Sequence, residues 1–510
     1  MDVGSNFDGA IPSGQTQAGR IAQSQPLQDK PHRFTAMAAS LAQIGIEVLH
    51  PGDAAYAARQ ESYWSMLAKT PTPAFILRPK SQQEVSDAVK ALCSTECKFA
   101  IRSGGHTQYA GANNINGDGV TLDLGLLDGV YFDKESETVN LGPGGRWAHV
   151  YGQLAKHSRV VSGGRDGNVG VGGIVLGGGY TFFAAKRGFA CDDVVAFDVV
   201  LADGTSVTAD AVNHTDLFKA LKGGSNNFGV VTNITMNAIE SDKIWGGLNF
   251  FPKQVEPDAI AALVDFTANC SKDEDSHILF FFTYLPNFKQ TVIVAAYVQI
   301  AGVERAPAYA KFLKIPATMD TTKMTTVAAV VSEYDIAPQG YYNTFFTLSV
   351  KNDPAIVAKT SELHDNLVEE LLAFIPEGDF ITQCLVQPLP RHYGQKSAAT
   401  NIGNIMGVEN QPVDGLMFVA VVMVKTPEQN SFAYEKVRAW VEALRAFASN
   451  IENGILPWLY MNYADKSQPV LQSYGPDNVR RMKQVAAKYD PKGVFQRLCP
   501  GGFKLADVNE

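Results

Sequence analysis

The sequence predicts an α+β protein of two domains, the first interrupted by the second, and two features of its 510 residues carry that reading. Up to residue 243, short alternating apolar runs are punctuated by clusters of glycine, whereas beyond Trp245 the glycines thin out and longer strand and helix periods take over. Antiparallel strands with helices segregated between them mark an α+β layer. A hydrophobic content of 45% can fill more than one core, and the length allows one to three domains.

Residues 1–30 open the chain with Ser, Gln, Gly and Asp and without the apolar core of a secretory signal. They are expected to form a mobile tail, and the expected compartment is the cytoplasm unless a signal has been removed. Ser81-Gln82-Gln83-Glu84 is a capping box ahead of Val85, Ala88, Val89 and Leu92, which predicts a helix over about 82–93. A strand follows over 99–102. Val120, Leu122 and Leu124 alternate, and Val130 with Phe132, then Val139 with Leu141, predict further strands. After Gly142-Pro143-Gly144-Gly145, the positions Trp147, Val150, Tyr151 and Leu154 share one helical face. Asp203-Gly204, between strands over 194–202 and 206–209, predicts a hairpin closed by a primed turn that needs positive φ. Beyond Trp245, strands are expected over 278–284, 291–300, 380–387 and 416–424, with helices over 354–374 and about 428–448.

Three glycine clusters point to chemistry. The first is Arg102-Ser103-Gly104-Gly105-His106-Thr107, a strand end breaking into a Gly pair that lets backbone N–H groups turn toward an anion. The imidazole beside that pair can act as a nucleophile toward an electrophilic ring, and together these features suggest a covalently held flavin. The second, 163–180, interleaves glycine with Val169, Val171, Ile174, Val175 and Leu176, so it is no flexible linker. Its glycines are expected where backbone presses on something large and flat. The third is Gly223-Gly224-Ser225-Asn226-Asn227-Phe228-Gly229-Val230-Val231. Counted from Gly170, the GxGxxG fingerprint fails at Val175, and no GxxxxGK[ST] occurs, so neither a Rossmann site nor a P-loop is supported.

In the first of these clusters, in Val169-Gly170-Val171-Gly172-Gly173 with Gly177-Gly178-Gly179-Tyr180 of the second, and in Tyr460-Met461-Asn462-Tyr463-Ala464-Asp465 with Tyr489-Asp490-Pro491 and Phe495 downstream, the chain resembles the FAD-linked oxidases of the vanillyl-alcohol oxidase superfamily. More narrowly, it is similar to the fungal members of the berberine bridge enzyme-like group. The match spans roughly residues 65–245 and 455–500. It implies a PCMH-type FAD-binding domain over 31–243, a substrate domain over 244–455 with an antiparallel sheet covered by helices, and a segment over 456–510 returning to the first domain. It also implies FAD contacts from Arg102, Ser103, Gly104, Gly105, His106 and Thr107; from Asp166, Val169, Gly170, Gly173 and Gly179; from Gly229 and Val230; and from Tyr460 and Asn462. Many relatives attach FAD through the loop histidine and also through a cysteine, but their Cys-Pro-Thr-Val lines up with Asp166-Gly167-Asn168-Val169. A single bond from His106 to the flavin 8-methyl carbon is therefore expected, with a more open pocket and a less oxidising flavin.

The same resemblance makes Tyr463 the general base, assisted by Tyr180, and makes Val169 the small residue that admits O₂ as electron acceptor. A phenol ionises near pH ~10, so a base of this kind needs a neighbour that favours its charge; Tyr460 and Tyr463 as packing aromatics is the alternative. Relatives with a carboxylate base carry it on the strand matching 416–424, which here holds no acid. His277, Tyr284, Tyr297, Tyr341 and Tyr342, with Gln383, Gln387 and His392, are the substrate-domain candidates, of which two or three are expected to touch substrate. The implied activity is oxidation of a small organic alcohol, amine or activated C–H position, such as a secondary metabolite. A non-redox isomerisation or cyclisation around FAD, and an inactive flavin-binding protein, stay open.

The balance of 43 Lys+Arg against 52 Asp+Glu repels nucleic acid phosphates, and no apolar run approaches the ~20 residues of a membrane span. His149 and His157 have no third ligand at metal spacing, so no metal is expected. The six cysteines are scattered, and Cys93 and Cys97 are expected as independent thiols. Oligomeric state is left open by the sequence.

Overall fold

The computed structural model describes residues 30–241, 243–333, 338–400 and 402–509. The expected tail falls outside the described residues up to 29, and Lys30 opens a helix, Lys30–Gln43. Next comes a four-stranded sheet in the order Glu47–Leu49, Ile76–Arg78, Gly119–Asp123, Lys98–Arg102, the last three parallel. Its crossover helix, Gln82–Ser94, has the first half of the expected capping box, Ser81 Oγ accepting from Glu84 N at 3.2 Å, while Glu84 Oε2 accepts from Lys80 N at 2.9 Å and not from Ser81 N. Val85, Ala88, Val89 and Leu92 are fully buried on one face of that helix. All five residues of Gly119–Asp123 are buried, as befits a parallel strand covered on both sides.

A five-stranded antiparallel sheet follows in the order Val130–Asp133, Thr138–Leu141, Val230–Asn237, Val194–Val200, Ser206–Asp210. The expected hairpin is present, but its turn is not primed. Gly204 N donates to Leu201 O, Leu201 N donates to Thr205 O, and Gly204 has φ of +82° while Asp203 stays at negative φ. One glycine in the left-handed region after an ordinary turn gives a bulged loop, which satisfies strand twist with a single positive φ. Trp147, Val150, Tyr151 and Leu154 are buried along the helix Trp147–Leu154.

The nine-stranded sheet is antiparallel throughout and draws its strands from residues 244–456. Its central strands are Ile244–Phe251, Gln290–Gln299, Ser276–Leu285, Phe380–Leu389, Gly415–Val424 and Tyr342–Lys351, in that spatial order. The helices Glu256–Asn269, Pro354–Phe374 and Pro427–Ala448 cover one face. His364 on the second helix meets Thr382 Oγ1 at 2.7 Å, and Trp440 on the third packs edge-on against Phe418. The opposite parity faces inward, so both faces are covered and Gly415–Val424 is buried at all ten positions. That is why this strand reads as an unbroken apolar run.

The four-stranded sheet has its own core, completed by Val494, Phe495, Leu498 and Cys499, while the five- and nine-stranded sheets share one continuous core. The six cysteines are free thiols, no helix is long and apolar enough to cross a membrane, and no metal-ligating cluster occurs among the described residues.

Candidate active site

Between the glycine loops and the inner face of the nine-stranded sheet lies a cavity of about 400 Å³. Its lining includes Ser103, Gly104, Gly105, His106 and Thr107 from the first loop, and Asp166, Val169, Gly170 and Gly173 from the second. Gly229 and Val230 contribute from the third, and Tyr180, Tyr460, Asn462 and Tyr463 complete this wall.

His106 sits where the parallel strand Lys98–Arg102 ends. Its ring stacks on Trp64 at 4.3 Å and 9°, and Trp64 N donates to Gly105 O. Burial, with Arg146 nearby, pushes this imidazole down to about 3, so it is neutral at physiological pH. Its Nδ1 is buried without a partner. A buried ring nitrogen left unpaired is costly unless something outside the chain meets it. Among the described residues, no protein acceptor meets the backbone N–H groups of Gly105, His106 or Thr107 either. A Cβ built on Gly173 would meet nothing within 4 Å. The orphaned nitrogen, the free amides and this open backbone fit a flavin dinucleotide.

The other glycines serve protein contacts. A Cβ on Gly104 would stand 2.4 Å from Gly170 Cα, and one on Gly170 would stand 2.5 Å from Gly104 N, so the two loops touch backbone to backbone. Arg146 clamps them, donating to Gly104 O at 2.9 Å and to Asn168 O. The flat object against Gly163 and Gly164 is the Trp147 indole, 2.1 Å from a Cβ placed on Gly163. Gly177 makes room for Asn462, whose amide donates to Ile174 O and to Tyr460 Oη. We expect Gly104→Ala to cost more than about 3 kcal/mol of stability, because backbone cannot retreat as a side chain would. Gly173→Ala should fold normally and bind FAD more weakly; melting curves and flavin content of the two variants check the contrast.

The second half of the wall is built around a buried guanidinium. Arg165 Nη2 donates to Tyr463 Oη at 2.8 Å, its Nη1 lies 3.1 Å from His277 Nε2, and the guanidinium sits 4.2 Å over the Tyr180 ring. Burial, with Arg165 adjacent, holds His277 well below its ordinary value, so it is neutral. No carboxylate forms an ion pair with Arg165 among the described residues. Tyr463 closes a tight turn, Met461–Tyr463, and packs edge-on to Tyr460 at 4.9 Å. Tyr460 is locked: its oxygen accepts from Tyr180 N at 2.7 Å. Tyr180 donates its hydroxyl proton to Pro388 O at 2.5 Å, and burial raises its phenol above the ordinary value. Its hydroxyl is thus spent on the core, and what it offers the site is its ring face.

Two expected cofactor residues lie elsewhere. Arg102 does not line the cavity; it is buried behind the first loop, bonded to Arg59 O and Ser62 Oγ and stacked on Tyr63. Gly179 also lies off the cavity, packed on Ala190 at φ of +83°. Of the substrate-domain candidates, Gln383 lines the cavity and the other seven do not. Tyr284 lies on the helix-covered face, stacked on Phe380, Tyr297 stacks on Trp245, and His277 stands one layer back against Arg165. Trp64, Arg146 and Arg165 escaped the sequence reading. Arg165 had a signal, a lone cation inside a glycine-rich apolar stretch; Trp64 and Arg146 had none, because their contacts are set by the meeting of distant loops.

Residues 73–210 match the family described as FAD binding domain, and residues 459–497 the family described as Berberine and berberine like. The FAD-dependent monooxygenase drtC of Aspergillus calidoustus is 36% identical over 471 residues, which cover 91% of this chain and 89% of that protein. Among solved structures, 6-hydroxy-D-nicotine oxidase of Arthrobacter nicotinovorans superposes with a TM-score of 0.74 at 21% identity, over 89% of this chain and 97% of that one. Glucooligosaccharide oxidase of Acremonium strictum, described with a 6-S-cysteinyl, 8α-N1-histidyl FAD, gives 0.71 at 19% identity, over 92% and 100%. At such identities the structural likeness is one of fold.

Proposed function

The chain belongs to the berberine bridge enzyme-like group of FAD-dependent oxidoreductases, and from that premise we propose that it is an oxidase of a small organic alcohol, amine or activated C–H compound. The observation that carries this reading is the Arg165–Tyr463 hydrogen bond at the cavity wall. When bound, FAD supplies the hydride acceptor and passes the electrons to O₂, giving hydrogen peroxide. Tyr463, as the phenolate, takes the proton of the substrate hydroxyl or amine, and Arg165 stands where it meets the charge that the phenolate oxygen carries before that transfer. His106 would hold the isoalloxazine through its 8-methyl carbon, with Trp64 fixing the imidazole plane. Asp166 stands where relatives carry the second anchor, so a single attachment is our reading.

Anaerobic titration tests the redox claim directly. Bleaching of the oxidised flavin band supports it, whereas product formed without bleaching would mean the non-redox alternative. The relative's name implies oxygen insertion instead, and turnover under isotopically heavy O₂ separates the two. Peroxide equal to substrate consumed, with no heavy oxygen in product, is the oxidase result.

Val169 is half-buried at the cavity edge and tests the acceptor. Val169→Leu should slow reoxidation of the reduced enzyme by O₂ and leave anaerobic reduction nearly unchanged. Overpacking could cost about 1–3 kcal/mol, so flavin content is measured alongside stopped-flow rates. Equal reoxidation rates would remove Val169 from the acceptor path.

A further inference from the structure

The substrate is specified by the roof of the cavity, whose composition differs sharply from its floor. Register places Phe250, Val294, Phe281, Leu385 and Val419 side by side on five adjacent strands, all lining the cavity. The next rung along the same face reads Thr283, Gln383, Val421, Phe345, and Phe345 meets Trp64 edge-on at 5.7 Å, beside His106. Thr283 spends its hydroxyl on Thr382 O at 2.6 Å, so it adds little polarity. Gln383 is 6% exposed, and among the described residues its side-chain amide makes no hydrogen bond to protein. It is the one polar group of the roof left unspent. The charged residues of the lining, Arg165 and Asp166, both belong to the opposite wall.

Resting on the oxidase reading of this site, we propose that the substrate class is an uncharged, hydrocarbon-rich cyclic alcohol whose one further oxygen is bound by Gln383, with Tyr463 receiving the reacting hydroxyl. A polyol would lose water from every hydroxyl against this roof and recover only the few hydrogen bonds that the Gln383 amide offers, which selects against sugars. A hydrocarbon ring gains from the same surface by leaving water. A carboxylate or ammonium at the roof would be desolvated without a counter-charge. A carbonyl or ether oxygen placed under Gln383 satisfies an amide that is otherwise idle, and that fixes which end of the molecule faces Tyr463. The reaction written for this class balances: the hydroxyl proton goes to Tyr463, the carbinol hydride to FAD, and O₂ takes up both electrons and protons to give a ketone and hydrogen peroxide.

The test uses the FAD-loaded enzyme without oxygen and reads two signals, perturbation of the oxidised flavin spectrum for binding and bleaching for turnover. The probes are α-tetralol, 4-hydroxy-α-tetralone, which adds one ring carbonyl, and cellobiose. Both tetralin probes should bind at least about tenfold more tightly than cellobiose, and the carbonyl should add about another tenfold. In Gln383→Leu the advantage of the carbonyl should vanish while α-tetralol binds as before. Gln383→Met serves the same comparison if the leucine variant does not fold. Cellobiose binding as tightly as the tetralins, or a carbonyl advantage that survives both substitutions, overturns the proposal. Tetralin binding in the stated order without any bleaching supports the substrate class and counts against the oxidase reading, so the two ideas fail separately.

Discussion

Tyr463→Phe should lower the anaerobic rate of flavin reduction by about 10²-fold or more while FAD content stays that of the native protein. The substitution removes one oxygen, the acceptor of the 2.8 Å bond from Arg165, and leaves the ring that packs edge-on to Tyr460. Arg165→Met tests the same pair from the other side. It keeps side-chain bulk over Tyr180, deprives the Tyr463 oxygen of its cation, and should reproduce most of the loss. Rapid-mixing spectrophotometry of both variants gives the answer. A Tyr463→Phe rate within a few-fold of native would move the base elsewhere. Tyr180 is then poorly placed to inherit the role, since its proton is committed to Pro388 O and burial raises its phenol.

His106→Ala should abolish covalent attachment outright. Native protein precipitated with acid should remain yellow, and the peptide containing His106 should carry the full mass of FAD. The alanine variant should release all its flavin to the supernatant while still binding it reversibly, because the loop contacts through Gly104, Gly170 and Arg146 do not involve the imidazole. Its activity should fall, since Trp64 loses its stacking partner and the ring loses its tether. Complete release of flavin from the native protein would refute the attachment.

The expected PCMH-type FAD-binding fold with an α+β layer is the fold found, and much of it was legible because its signals are local. The N-cap at Ser81, the helical face from Trp147 to Leu154 and the helix Pro354–Phe374 each depend on spacing within a few residues. What local spacing could not reveal was what the glycines touch. Gly104 and Gly170 face each other across 66 positions of chain, and Gly163 faces Trp147, so glycines that suggested cofactor contact partly mark loop-to-loop and loop-to-indole packing. The roof was illegible for another reason. A strand buried on both sides, such as Gly415–Val424, shows no alternation in hydrophobicity, so nothing distinguishes cavity-facing from helix-facing residues until register is known. Polarity was therefore a misleading guide there, singling out Tyr284 and Tyr297, which face away from the cavity, over Phe281 and Leu385, which line it.

That interleaving has an evolutionary meaning. Along residues 279–285, every second residue belongs to the cavity and every other to the packing beneath the helices. Because consecutive side chains leave a strand on opposite faces, the two sets can mutate nearly independently. A lineage can thus exchange Leu279, Phe281 or Leu385 to explore new molecules without reopening the foundation laid by Phe280 and Phe282. The sheet acts as a keyboard in which one set of keys plays recognition and the other holds the instrument together, and diversification of chemistry on this scaffold should be concentrated at a single parity.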